Sequence, residues 1–179
     1  MKKLSPIYFD SRLVTPGSTF VAIAGTNQDG HDFIREAIDR GATTIIHEKN
    51  LANKLDGISY TQVEDSRRVL AELAQSFYNY PSKKLKLVGV TGTNGKTTTV
   101  TLLFRLFKKL GAKSALLSTI ENKIGDETYP ATHTTPDPLA LASFLNQAIT
   151  AGCEYAFMEC SSHAMDQKRI TGLQFAGAI

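Results

Sequence analysis

The chain is poor in cysteine: 179 residues hold only Cys153 and Cys160, seven positions apart in a run that reads as buried strand. Two such thiols cannot staple a small secreted scaffold or build a zinc site, so both are excluded and a reducing cytoplasm fits best. Long hydrophobic runs are missing as well. No segment approaches the roughly 18–20 apolar residues of a membrane span, which argues against membrane insertion. The basic start Met1-Lys2-Lys3 reaches Asp10 and Arg12 before the apolar core of a signal peptide could form. Strong charge of one sign is also lacking. Twenty Lys+Arg against seventeen Asp+Glu leave +3, too weak and dispersed to point to nucleic acid. There are no internal repeats and no low-complexity tracts. What remains, 42% hydrophobic and 21% charged, is ordinary globular composition, with a length for one domain or two small ones.

What is present is an alternation of strand and helix signals, which predicts the α/β class. The best boundary is Asn79-Tyr80-Pro81-Ser82-Lys83-Lys84, because Pro81 cannot continue the amphipathic segment before it. That divides the chain into 1–82 and 83–179. In the first part, residues 19–24 read as a short strand and His31 to Arg40 as a helix with Phe33, Ile34, Ala37 and Ile38 on one face. Residues 43–46 read as a strand, and Ser66 opens a helix through Val69, Leu70, Leu73, Ala74 and Phe77. In the second part, strands are predicted at 85–90, 115–119 and 155–159. Helices are predicted through Leu102, Leu103, Leu106 and Leu110, and from Pro138 to Ala151, with a hairpin turn at Gly125-Asp126. Strands alternating with helices imply a mostly parallel sheet covered on both faces. The chain stops in the apolar run Phe175-Ala176-Gly177-Ala178-Ile179, so the second domain is expected to be incomplete.

The strongest feature is Thr91-Gly92-Thr93-Asn94-Gly95-Lys96-Thr97-Thr98-Thr99, lying between a strand and a helix. Glycines let backbone N–H groups converge on phosphate oxygens, and the helix N-terminus adds partial positive charge. Lys96 would reach the β- and γ-phosphates of ATP, and the Thr97 hydroxyl would bind Mg²⁺. The loop is a variant of the usual P-loop, because the first glycine position is held by Val90. Glu159, an acid at the carboxyl end of a parallel strand, belongs in the ligand crevice of an open α/β sheet and could hold the same Mg²⁺.

Other polar clusters are less specific. In Thr134-Thr135-Pro136-Asp137-Pro138, Thr135 or Asp137 suits a helix N-cap and Pro138 the first helical position. Two adjacent hydroxyls could instead meet a polar ligand. Ser161-Ser162-His163 lacks the setting of a serine nucleophile, and both cysteines read as packing residues. Asp10-Ser11-Arg12 and Gly25 through Gly30 have turn chemistry.

Taken together, these motifs resemble the Mur ligase family along the whole chain, on Asp10-Ser11-Arg12, Gly25 to Gly30, Gly92 to Thr97, Thr134 to Asp137, and Met158-Glu159 through Ser161, Gln167, Arg169 and Gly172. The resemblance implies a small UDP-binding α/β domain followed by part of a P-loop ATPase domain. It also implies an ATP-dependent, Mg²⁺-assisted amide ligase of peptidoglycan synthesis in the cytoplasm, monomeric. Such an enzyme adds diaminopimelate or lysine to UDP-MurNAc-L-Ala-D-Glu through an acyl phosphate. Carried over by position, Gly92, Thr93, Asn94, Gly95, Lys96, Thr97 and Thr98 would hold ATP, with Lys96 and Glu159 catalytic and Thr97 and Glu159 at the metal. Ser11, Thr26, Asn27 and Gln28 would contact the UDP moiety, and Thr134, Thr135, Ser161, Gln167 and Arg169 the diphosphate and muramoyl-peptide portion. The family's carbamylated lysine, further metal-binding histidine and C-terminal domain lie past Ile179, which implies that this chain alone has no ligase turnover. A binding module without catalysis, or a generic phosphotransferase, are the competing readings.

Overall fold

The computed structural model describes residues 5–25, 28–131 and 134–179. Contacts divide the chain into two units, Met1–Leu73 and Ala74–Ile179, with the division inside a single helix.

The first unit holds a parallel sheet of four strands in chain order, β1 (Ile7–Tyr8), β2 (Ser18–Val21), β3 (Ala42–His47) and β4 (Ser59–Gln62). Phe20, Ala22 and Ile45 face the short helix α1 (Ile34–Asp39) and form one apolar cluster with its Ile34 and Ala37. Burying aliphatic side chains of this size stabilises by about 1.5–3 kcal/mol each, which is why a six-residue helix persists here at all. The predicted helix from His31 begins instead as a 3₁₀ turn over Gly30–Phe33. Asp29 caps that turn, accepting from the His31 N–H at 3.0 Å, and the cap tightens the first turn. Strands β1 and β4 carry no strong sequence signal: one is two residues long and the other, Ser-Tyr-Thr-Gln, is largely exposed. Helix α2 (Ser66–Phe77) matches its periodicity.

The second unit is a six-stranded sheet in the order β10 (Gly177–Ala178), β5 (Lys86–Val90), β9 (Tyr155–Glu159), β6 (Ser114–Leu117), β7 (Glu121–Ile124), β8 (Glu127–Pro130). The first four are mutually parallel, and β7 and β8 add an antiparallel hairpin turning at Gly125-Asp126. This is the mostly parallel α/β architecture that the strand–helix alternation predicts. Alternation along β9 sorts its side chains between the two faces. Tyr155 and Phe157 meet Val100, Phe104 and Phe107 of α3 (Lys96–Lys109), together with Val90 and Leu116. Ala156, Met158 and Cys160 join Leu141, Phe144, Leu145 and Ala148 of α4 (Pro138–Thr150) on the other face. Asp137 is the N-cap of α4, accepting from the Leu139 and Ala140 N–H groups at 3.0 Å each, so the capping role falls to it and not to Thr135. A fifth helix, α5 (Ser162–Asp166), follows β9 directly. No helix among the described residues is long and apolar enough to cross a membrane.

Candidate functional site

The site is built where β5 gives way to α3. In the register between β5 and β9, Val90 pairs with Glu159, so the loop leaves the sheet beside the strand end that carries the carboxylate. Val90 is a core residue packed with Val100 and Phe157, which explains a branched aliphatic side chain where the usual pattern has glycine. The tight turning begins two residues later. Gly92 has φ +130° and Gly95 φ +82°, conformations that side-chain-bearing residues rarely adopt. Gly95 is the N-cap of α3 and offers no side chain to occupy the first N–H groups of the helix, so these face the loop mouth. Lys96 bends back over the loop, its Nζ donating to the Gly92 carbonyl at 2.6 Å.

Glu159 shares the strand parity of Phe157 and is 1% exposed. Its Oε1 accepts the Thr119 N–H at 2.8 Å, and the Thr119 hydroxyl lies 3.2 Å from Oε2. No cationic side chain forms a salt bridge with it among the described residues. A buried carboxylate held by two neutral donors is under-compensated, since burying a charge is costly unless it is paired. That charge, with the hydroxyl of Thr97 lining the same cavity, is a set of hard oxygens suited to Mg²⁺. The residues present therefore fit such an ion.

A cavity of about 720 Å³ joins these groups, lined by Thr91 through Thr97, Thr119, Thr134, Glu159, Ser161, Ser162 and His163. The predicted residues Gly92, Thr93, Asn94, Gly95, Lys96, Thr97, Thr134, Glu159 and Ser161 thus meet in one place. Thr98, Thr135, Gln167 and Arg169 are not among its lining residues. Thr135 is 1% exposed, and its hydroxyl donates to the Glu159 carbonyl at 2.8 Å while accepting the Ser161 N–H at 3.2 Å. Arg169 donates to Gln167 Oε1 from Nε (3.0 Å) and Nη2 (2.6 Å), and to the Thr135 carbonyl from Nη1 (2.8 Å). Thr135, Gln167 and Arg169 therefore form a brace under the wall. Ser161 caps α5, accepting the Ala164 N–H at 3.1 Å. The sequence reading missed Thr119, which has no motif around it. The cysteines are packing residues, and burial pushes the Cys160 thiol up to about 11.

The first unit has its own cleft, of about 510 Å³, lined by residues that include Ser11, Arg12, Gln28, Phe33, Glu36 and Arg67. The predicted Ser11 and Gln28 lie on it, while Thr26 and Asn27 are outside the described residues. Ser11 donates to Glu36 Oε2 at 2.8 Å. Arg67 donates to the Ala24 carbonyl at 2.9 Å and ties α2 to the backbone after β2. Asp29 accepts from Lys49 and from His31 Nδ1 (2.6 Å). His31 Nε2 accepts the Glu48 N–H at 3.0 Å, so the ring proton sits on Nδ1.

Lys49, then His31, hold the Asp29 carboxyl well below the usual carboxylate range. A carboxyl depressed on folding stabilises above its unfolded pKa, near 3.8, and that contribution is lost as pH falls through the folded value. The stability advantage of the native chain over Asp29→Asn is therefore expected to be constant above about pH 5 and to shrink below about pH 4. Thermal melts of both proteins across that range test this, and a gap independent of pH would refute it.

Comparisons with known proteins agree with this geometry. The Mur ligase middle domain profile matches residues 90–179, and that of the Mur ligase family catalytic domain matches residues 3–78. The chain is 53% identical over 178 residues to a UDP-N-acetylmuramoyl-L-alanyl-D-glutamate–2,6-diaminopimelate ligase of Cytophaga hutchinsonii, covering 98% of this chain and 36% of that protein. It is 49% identical to the ligase of the same name from Phocaeicola vulgatus, covering 99% and 37%. Among solved structures, a ligase of that name superposes with a TM-score of 0.81 at 27% identity, over 98% of this chain and 35% of its own. The MurF ligase of Thermotoga maritima, solved with ADP, gives 0.57 at 32% identity, over 90% and 34%. The chain spans a little over a third of the length of these relatives. The loop, the buried acid at the neighbouring strand end and these matches over both units lead to one conclusion: this chain belongs to the Mur ligase family.

Proposed function

We propose that the chain carries the nucleotide-binding and UDP-substrate-binding parts of an ATP-dependent ligase. That ligase joins diaminopimelate to UDP-MurNAc-L-Ala-D-Glu in the cytoplasm. The observation that carries this reading is the loop Gly92–Lys96 opening beside the buried Glu159. In the reaction, a D-glutamate carboxylate oxygen attacks the γ-phosphorus of ATP and the bond to the β-phosphate oxygen breaks, releasing ADP. The amine of the incoming amino acid then attacks the acyl carbon, expelling phosphate and losing a proton. The N-terminal N–H groups of α3 and the Lys96 ammonium bind the phosphates and offset the charge that develops during transfer. Glu159 and Thr97 would hold Mg²⁺, which would offset negative charge on the phosphates. Ser161 and Thr134 orient the acceptor, and the Thr135–Gln167–Arg169 brace holds the segments that carry them in place. In this reading Ser11 and Gln28, with Thr26 and Asn27, bind the UDP moiety, and residues 1–82 and 83–179 are the functional domains.

Calorimetry on the 179-residue chain tests the proposal. Binding of both Mg·ATP and UDP-MurNAc-L-Ala-D-Glu is expected, and failure to bind either overturns it. A second reading is a module that binds these nucleotides without turnover. Phosphate release that needs both substrates and the amino acid would exclude that second reading.

A further inference from the structure

Thr119 stands two residues past the end of β6, and no motif marks it. Its N–H and its hydroxyl reach different oxygens of the Glu159 carboxylate, at 2.8 and 3.2 Å, which fixes the plane of that group. The same hydroxyl lies 3.1 Å from the Thr134 hydroxyl. Proton accounting orders this chain. An ionised carboxylate only accepts, and Thr119 has one hydroxyl proton, so that proton goes to Glu159. Each Glu159 oxygen uses one lone pair on Thr119 and keeps another for the cavity.

We infer that Thr119 is a positioning residue that holds the Glu159 carboxylate in the orientation a divalent cation needs. Its hydroxyl also links that carboxylate to Thr134. The inference rests on the reading of Glu159 as a cation ligand. Serine keeps the hydroxyl at this position, whereas valine keeps the shape and loses it.

The test uses Mn²⁺ as the probe, with binding to the 179-residue chain read by electron paramagnetic resonance at saturating ADP. Thr119→Val is expected to weaken Mn²⁺ binding about tenfold, the effect of losing one hydrogen bond to a charged group. Thr119→Ser is expected to stay within about twofold of the native chain, and metal-free ADP affinity is expected to be unchanged in both. Native Mn²⁺ affinity in the valine variant, equal losses in valine and serine variants, or a parallel loss of metal-free ADP binding would each overturn the inference. Glu159→Gln separates it from the reading beneath it. If that variant binds Mn²⁺ like the native chain, or the native chain itself binds none, the cation role of Glu159 fails and this inference with it.

Discussion

Lys96→Ala is expected to weaken ATP binding by about 10- to 100-fold while leaving the folded state intact. Among the described residues the lysine donates only to the exposed loop carbonyls of Gly92 and Thr93, which water can satisfy after truncation. A charge-assisted hydrogen bond to phosphate is worth about 1.5–3 kcal/mol, and every 1.4 kcal/mol is tenfold in affinity. Isothermal titration of the variant with Mg·ATP checks the magnitude. The native chain's affinity for a UDP nucleotide serves as the internal control, because the cleft of the first unit contains none of the loop residues. Unchanged ATP affinity would mean that the loop does not hold the triphosphate. Lys96→Arg is not expected to restore full binding, since the wider planar guanidinium replaces a compact ammonium in a loop turned tightly at Gly92 and Gly95.

Phe157→Ala carries the largest expected cost in stability, about 3–5 kcal/mol. The ring is 1% exposed and sits at the centre of the layer between the sheet and α3. It packs 5.1 Å from the Phe107 ring and stacks at 6.3 Å over Tyr155, among Val90, Val100, Phe104 and Leu116. Truncation removes its buried apolar surface and leaves a cavity between two regular elements that cannot collapse freely. Urea unfolding of the second unit, followed by far-UV circular dichroism, measures the loss. A change below about 1 kcal/mol would show that α3 does not close on the sheet. The consequence reaches the site, because Glu159 follows two residues later on the same face of β9.

Helix α3 shows where pattern reading stops. Its apolar residues make more than one stripe, and Leu102, Leu103, Leu106 and Leu110 were enough to predict the helix and its stop before Gly111. The structure buries Val100 and Phe104 and leaves Leu102, Leu106 and Leu110 exposed. Periodicity establishes that a helix exists, but the packing of β5, β6 and β9 selects the face it turns inward. Thr134 was legible as a hydroxyl beside a helix start, and Ser161 only through the family resemblance. That Thr135 is buried beneath Glu159 was not, because its partners are backbone groups 24 and 26 residues away.

The chain's own order of residues determined whatever depends on contiguity. A strand, a glycine turn, a lysine and a helix start follow one another covalently, so the phosphate loop, the hairpin at Gly125-Asp126 and the stop of α4 at Gly152 were all readable in line. Tertiary structure alone decided what meets across distance. Thr119 reaches Glu159 over 40 positions and Thr134 over 15. The parallel register of β6 on β9, Leu117 against Met158, brings those strand ends level. Backbone hydrogen bonds and the buried layers on both faces set that register, and neither leaves a local mark in the sequence.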